Sequence, residues 1–140
     1  MKTFAQLRIL IVNDQAPIRR MLRSLLSRWG FTRIDEVGDG AAALRRLRQR
    51  QYGLVISDGD MRPTSGRALL WQVRADPLLK SVPFILLTAP RERLAAVVRG
   101  IGASSCLPKP LDARALREAV SDALAKSGLS FGGQAEPSLA

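Results

Sequence analysis

The sequence predicts one α/β domain, a doubly wound five-stranded parallel sheet with helices on both faces. Three observations carry that expectation. Apolar runs of about six residues alternate with longer segments in which apolar residues recur at three- and four-residue steps. The first of these runs is almost wholly aliphatic, as a strand buried on both faces must be. A length of 140 residues with 46% hydrophobic composition supplies one core and leaves little for a second.

Residues 7–12 form the first strand and end at the polar pair Asn13-Asp14. Pro17 suits the first turn of a helix, in which Ile18, Met21, Leu22, Leu25, Leu26 and Trp29 repeat at helical spacing until Gly30 stops it. The second strand covers 32–37. The turn Gly38-Asp39-Gly40 then leads into a helix over 41–50, with Asp39 as its cap. Residues 54–57 make the third strand, ending at Asp58. The loop 59–65, which contains Pro63, precedes a helix whose apolar side carries Ala68, Leu69, Leu70 and Val73, with Trp71 read as packing. A fourth strand over 83–87 is followed by a shorter, more basic fourth helix over 91–99. Gly100 and Gly102 mark the return to a fifth strand over 105–108, and Asp112 caps a last helix over 113–126. From 127 to 140 the composition turns to Gly, Ser, Pro and Gln, too poor in apolar side chains to offset the cost of ordering. The expected organisation is therefore a domain over 1–126 and a disordered tail over 127–140.

Histidine is absent, which removes Ser-His-Asp and Cys-His catalysis, imidazole metal sites and phosphohistidine carriage within this chain. The single cysteine, Cys106, can form neither an intrachain disulfide nor a thiolate zinc site. The first twelve residues lack a cleavage pattern of small residues, and no run approaches a membrane span of about 18 apolar residues, so a cytoplasmic protein without membrane association is expected. The net charge of +10 arises from 22 Lys+Arg against 12 Asp+Glu, and 18 of those cations are arginine.

In an open parallel sheet the ligand crevice lies beyond the carboxyl ends of the strands. That rule selects Asn13 and Asp14, Asp58, Thr88 and Lys109, each following a strand. Carboxylates, a hydroxyl and an ammonium on one rim suit a hard divalent cation and a phosphoryl group. Asp14 and Asp58 would share Mg2+, which offsets their mutual repulsion. Asp58 can then act as a carboxylate nucleophile while Lys109 and Thr88 receive the phosphoryl oxygens.

The segments Ile9-Leu10-Ile11-Val12-Asn13-Asp14, Leu54-Val55-Ile56-Ser57-Asp58-Gly59-Asp60-Met61, Leu86-Leu87-Thr88-Ala89 and Leu107-Pro108-Lys109-Pro110 resemble the receiver domain of bacterial response regulators, in its single-domain, CheY-like form. The resemblance spans roughly residues 6–126. It implies a flavodoxin-like (βα)5 fold with strand order 2-1-3-4-5. It further implies that Asp58 is the phosphoacceptor, that Asp14 and the backbone carbonyl of Asp60 are metal ligands beside Asp58, that the Thr88 hydroxyl moves toward the phosphate, and that Lys109 binds it. Lys109-Pro110 is similar to the family's cis peptide. The function implied is that of a stand-alone receiver, not a conventional enzyme. It would take a phosphoryl group from a histidine kinase or phosphotransfer protein and signal to a downstream protein through a face built from the fourth helix, fifth strand and fifth helix.

Four positions depart from the family pattern. Asn13 replaces the first of two acidic residues, which removes one charge from the metal pocket and leaves an indirect role through a coordinated water. The Asp60 side chain can restore part of that field if it turns inward. Arg62 stands where proline usually follows methionine, with Pro63 one residue late, so the loop beside Asp58 takes its own path. Cys106 occupies the place of the aromatic switch residue that works with Thr88, and is read as a small buried strand residue. Pro90 stiffens the start of the fourth helix.

Arg19, Arg20, Arg23 and Arg28 crowd the first helix, Arg45, Arg46, Arg48 and Arg50 the second, and Arg91, Arg93 and Arg99 the fourth. Most are read as solvated faces opposite the aliphatic stripes. An aromatic content of 5% offers few stacking partners for bases, which argues against nucleic acid. A second reading is a phosphorylation-independent module that recognises an acidic protein or a cyclic dinucleotide through arginines near the fourth and fifth helices, including Arg114 and Arg117.

Overall fold

The computed structural model describes residues 6–89 and 102–128. Within them lie the strands β1 (Arg8–Val12), β2 (Arg33–Val37), β3 (Leu54–Asp58), β4 (Phe84–Thr88) and β5 (Ser105–Pro108). All pair in parallel, in the order β2-β1-β3-β4-β5. The helices are α1 (Ala16–Arg28), α2 (Gly40–Gln49), α3 (Gly66–Ala75) and α4 (Ala113–Ala125), the last being the fifth helix of the sequence reading. Helix 91–99, Pro90 and the tail from 129 onward lie outside the described residues. The flavodoxin-like order and the strands agree with expectation, with ends shifted by a residue.

Side chains alternate across a strand, so each strand serves two cores. Ile9, Ile11, Leu54, Ile56, Ile85 and Leu87 pack with Leu22 and Leu26 of α1 and with Leu116, Val120 and Leu124 of α4. Leu10, Val12, Val55, Phe84 and Leu86 pack on the other face with Ala43 and Leu47 of α2 and with Leu69, Leu70 and Val73 of α3. Burying each Leu or Ile side chain contributes about 1.5–3 kcal/mol, which makes these two layers the chief stabilising term. Among the described residues no helix is long and apolar enough to cross a membrane.

The caps follow the sequence in part. The Asp39 carboxylate accepts from Ala42 N at 2.7 Å, and that of Asp112 from Arg114 N at 2.9 Å. Ser65, not singled out beforehand, caps α3 by accepting from Ala68 N at 3.1 Å. Pro17 sits in the first turn of α1, whose Gln15 cap makes no side-chain bond.

Three packing expectations fail. Trp71 is 64% exposed, Met21 is 39% exposed, and Ala68 is also exposed. Each residue of a helix turns about 100° from the last, and the sheet holds Leu69, Leu70 and Val73, so Trp71 is carried outward. Met21 is displaced in the same way by Leu22.

Arg20, Arg28, Arg45, Arg48 and Arg50 are exposed, as their spacing suggested, while Arg19, Arg23 and Arg46 are half-buried. Asp35 Oδ2 lies 3.4 Å from Arg8, 3.9 Å from Arg46 and 3.7 Å from Arg50. Arg19 and Arg23 both pair with Glu36, and Arg23 also donates to Ile34 O at 2.7 Å. Arg74 is half-buried and donates to the carbonyls of Gly102, Lys80 and Val82 at 2.9, 3.0 and 2.7 Å, and burial lowers its pKa. It fastens α3 to the segments that lead into β4 and β5.

Candidate functional site

The strand register determines which residues meet at the carboxyl edge. Val12 pairs with Ser57, so Asn13 and Asp58 come next on neighbouring strands, and Asp14 follows Asn13. Asp58 pairs with Leu87, one residue before Thr88, and Thr88 pairs with Pro108, one residue before Lys109. Backbone bonds continue the ladder past the strand ends, with Gly59 N donating to Leu87 O at 2.7 Å and Lys109 N to Thr88 O at 2.8 Å.

Asp58 is 5% exposed, and a carboxylate so enclosed needs compensating charge. Lys109 provides it, its Nζ forming an ion pair with Asp58 Oδ1. The same ammonium lies 3.8 Å from Asp60 Oδ2, so the exposed Asp60 side chain turns toward the lysine. The backbone of Asp58 is held as firmly. Ser57 Oγ donates to its carbonyl at 3.0 Å, and Gly66 N donates to Gly59 O at 3.2 Å, which draws the start of α3 against Asp58. A Cβ on Gly66 would fall 1.9 Å from Asp58 O, a close approach that only glycine permits.

Thr88 is buried, and its Oγ1 donates to Leu107 O at 3.4 Å while accepting from Cys106 Sγ at 3.6 Å. Cys106 is a free thiol and only half-buried, not enclosed in the strand as expected, because β5 forms the edge of the sheet. The resemblance already links Cys106 to Thr88 as switch residues, whereas the direct bond between them depends on register. Residue 106 lies two before Pro108, the partner of Thr88, and so on the same face as the residue at 108.

Asn13 is 2% exposed, and its Oδ1 accepts from Gln15 N at 2.9 Å while Arg19 donates to its carbonyl at 2.6 Å. Its amide oxygen thus shapes the turn into α1. Asp14 is exposed and makes no hydrogen bond or ion pair with a described residue. Among the described residues no three Asp, Glu, Cys or His side chains gather in a way that could hold a metal ion. What the edge offers is two carboxylates, Asp14 and Asp58, and the Asp60 carbonyl. These are hard oxygen donors, which fit a small divalent cation with one charge fewer than a fully acidic pocket. Two loops at this edge each have a cis peptide, Arg62-Pro63 after β3 and Lys109-Pro110 after β5, the second as expected.

The edge therefore brings Asp58, Lys109 and Asp60 into one charge cluster and joins Thr88 to Cys106 beside it. Comparison with known proteins gives the family. A model of the response regulator receiver domain matches residues 9–121. The chain is 34% identical over 115 residues to the chemotaxis protein CheY of Pseudomonas aeruginosa, covering 81% of this chain and 93% of that one. It is 34% identical over 114 residues to the chemotaxis protein CheY-3 of Vibrio cholerae, covering 80% and 87%. Among solved structures, the signal receiver domain of a signal transduction histidine kinase from Syntrophus aciditrophicus is similar at a TM-score of 0.78 and 28% identity, covering 95% of this chain and 97% of that one.

Proposed function

The chain belongs to the response regulator receiver domain family, and from that premise we propose that Asp58 accepts a phosphoryl group from a histidine kinase or phosphotransfer protein and that the phosphorylated form signals to a downstream protein. The observation that carries this reading is the ion pair between the enclosed Asp58 carboxylate and Lys109.

A carboxylate oxygen of Asp58 attacks the phosphorus of the donor. An O–P bond forms as the bond from phosphorus to the donor nitrogen breaks, and the departing imidazole keeps that electron pair and takes a proton from solvent. Lys109 already touches the nucleophile, so its ammonium stands where the phosphoryl oxygens arrive and stabilises their charge without reorganising. Asp14, Asp58 and the Asp60 carbonyl are the residues that would hold Mg2+, with Asn13 reaching it at most through water. When bound, the cation supplies positive charge that offsets repulsion between the carboxylates and the incoming phosphate. Asp60 and Asp58 share Lys109 before transfer, and the phosphoryl group competes for the same ammonium.

The signal begins at Thr88. Its bond to Leu107 O, at 3.4 Å, is long for a hydroxyl donor and readily exchanged for a phosphoryl oxygen. Moving the hydroxyl breaks the link to Cys106 and alters β5 and α4, a surface for a protein partner. In this reading the receiver unit is 1–126 and residues 127–140 form a tail outside it. The arginine module for an acidic protein or cyclic dinucleotide draws no such support. Arg91, Arg93 and Arg99 fall outside the described residues, and several other arginines are engaged within the molecule.

The test is incubation with acetyl phosphate and Mg2+ followed by intact mass. One added phosphoryl group is expected, lost on chelation of the cation and in Asp58→Asn. Labelling that persists in Asp58→Asn would overturn the assignment.

A further inference from the structure

At the opposite edge of the sheet, where the strands begin, lies a cavity of about 910 Å³. The strands are five residues long, which puts it roughly 15 Å from the acceptor edge. Its wall includes four arginines, Arg8, Arg33, Arg48 and Arg50, and one carboxylate, Asp76. Arg8 and Arg33 face each other in register at the starts of β1 and β2, and Arg48 and Arg50 come from the end of α2. Leu47, Leu79 and Pro83 supply an apolar side.

The counter-charges within reach do not balance these guanidiniums. Arg48 pairs with Asp76 Oδ2 at 3.6 Å, while the other oxygen of Asp76 accepts from Leu78 N. Arg8 and Arg50, together with Arg46, converge on the single oxygen Asp35 Oδ2, which also accepts from Tyr52 Oη at 2.6 Å. One oxygen cannot satisfy three guanidiniums with five N–H donors each, and the contacts of Arg46 and Arg50, at 3.9 and 3.7 Å, exceed hydrogen-bond length. Arg33 has no carboxylate partner among the described residues. Five arginines thus surround two carboxylates, which cannot occupy all of their N–H donors, and four of the five line the cavity.

From this we infer that the cavity is a binding site for a small polyphosphate anion of the nucleoside di- or triphosphate class. Guanidinium forks match phosphate oxygens bidentately. The volume falls within the range of small-molecule sites, roughly 300–1,000 Å³, and the apolar wall offers a place for a base. The site is separate from Asp58 and Lys109 and does not depend on the phosphoacceptor reading.

Isothermal titration with tripolyphosphate and with ATP, in EDTA so that no cation recruits them to Asp58, tests this inference. NMR amide shifts give the location. Saturable binding is expected, weakened by added salt, with shifts at Arg33, Arg50 and Gly53. ATP binding more tightly than tripolyphosphate assigns a role to the apolar wall, and equal affinities assign recognition to the phosphates alone. Arg33→Ala and Arg50→Ala should each weaken binding about tenfold while the fold, read by circular dichroism, is retained. Absence of binding by both probes, or shifts confined to Thr88 and Lys109, would overturn the assignment. So would unchanged affinity in both variants.

Discussion

The Cys106 thiol and the Thr88 hydroxyl are joined across β5 and β4, Sγ donating to Oγ1 at 3.6 Å. A family position usually filled by an aromatic ring is here tied directly to the hydroxyl proposed to read the phosphate. Cys106 is also the single cysteine of the chain, which makes it a built-in reporter. If phosphorylation draws Thr88 toward Asp58, the half-buried thiol loses its partner, and its alkylation rate should rise several-fold. In Thr88→Val the rate should be the same with and without phosphorylation. An unchanged rate in the native protein would contradict the coupling. Because S–H is a weak donor, Cys106→Val should alter stability by less than about 1 kcal/mol.

Gly66 is held against Asp58 so closely that an added methyl would meet Asp58 O at 1.9 Å, Asp58 C at 2.8 Å and Ser57 Oγ at 2.9 Å. Two of these three atoms are backbone and cannot swing aside. Gly66→Ala should therefore destabilise the fold by about 1–3 kcal/mol and slow phosphoryl acceptance, since relief of the clash moves Asp58. Gly38→Ala is the contrast. Its Cβ would meet only the Arg19 guanidinium at 3.8 Å, and its effect should stay within about 0.5 kcal/mol. Urea unfolding of the two variants checks both values.

The alternation of apolar runs and helical stripes was enough to read the sheet, because strands buried on both faces leave aliphatic blocks such as Ile9 to Val12. The grouping of residues at the carboxyl edge was legible for a related reason, since Asn13, Asp58, Thr88 and Lys109 lie at or just past strand ends and parallel register aligns those ends. What escaped depends on distance in sequence. Asp35 and Arg8 are 27 residues apart, and nothing local says that three arginines will share that carboxylate. Trp71 escaped because a helix with an apolar residue on nearly every side does not reveal which of them the sheet will take. Asp60 turned toward Lys109, a choice of rotamer that sequence does not encode.

Asp35 should leave a mark on the acid limb of stability. Burial alone raises its pKa, but the Tyr52 hydroxyl donating to it, with Arg8, Arg50 and Arg46 around it, outweighs burial and holds it below its ordinary 3.8. A carboxyl more acidic in the folded than in the unfolded chain stabilises the fold above the unfolded value. That contribution disappears as pH falls through the lower, folded value. Asp35→Asn should therefore be less stable than the native protein at neutral pH and lose less stability on acidification, as read by urea midpoints across that range. Tyr52 is its counterpart at the alkaline end. Burial first, and then the bond to Asp35, raise its pKa above 10.0, so its contribution is present below that value and fades as pH rises through the folded one.

Asn13 is where the proposed metal pocket can be altered without disturbing the turn that it builds. Its Oδ1 accepts from Gln15 N at 2.9 Å, and a carboxylate oxygen can accept the same bond, so Asn13→Asp keeps the local geometry. The second oxygen replaces an amide N–H donor with negative charge at a position 2% exposed, beside Asp58 on the neighbouring strand. Without a cation the two enclosed carboxylates repel, and the variant should be less stable than the native protein by about 1–3 kcal/mol. With Mg2+ the added charge becomes a ligand or anchors a coordinated water, and affinity should rise about tenfold, as charge count tunes such sites. Thermal unfolding across a Mg2+ titration separates these effects. The curve of Asn13→Asp should start lower, climb more steeply and cross that of the native protein. Parallel curves would mean that residue 13 does not face the cation, and the ligand set of Asp14, Asp58 and the Asp60 carbonyl would need to be redrawn.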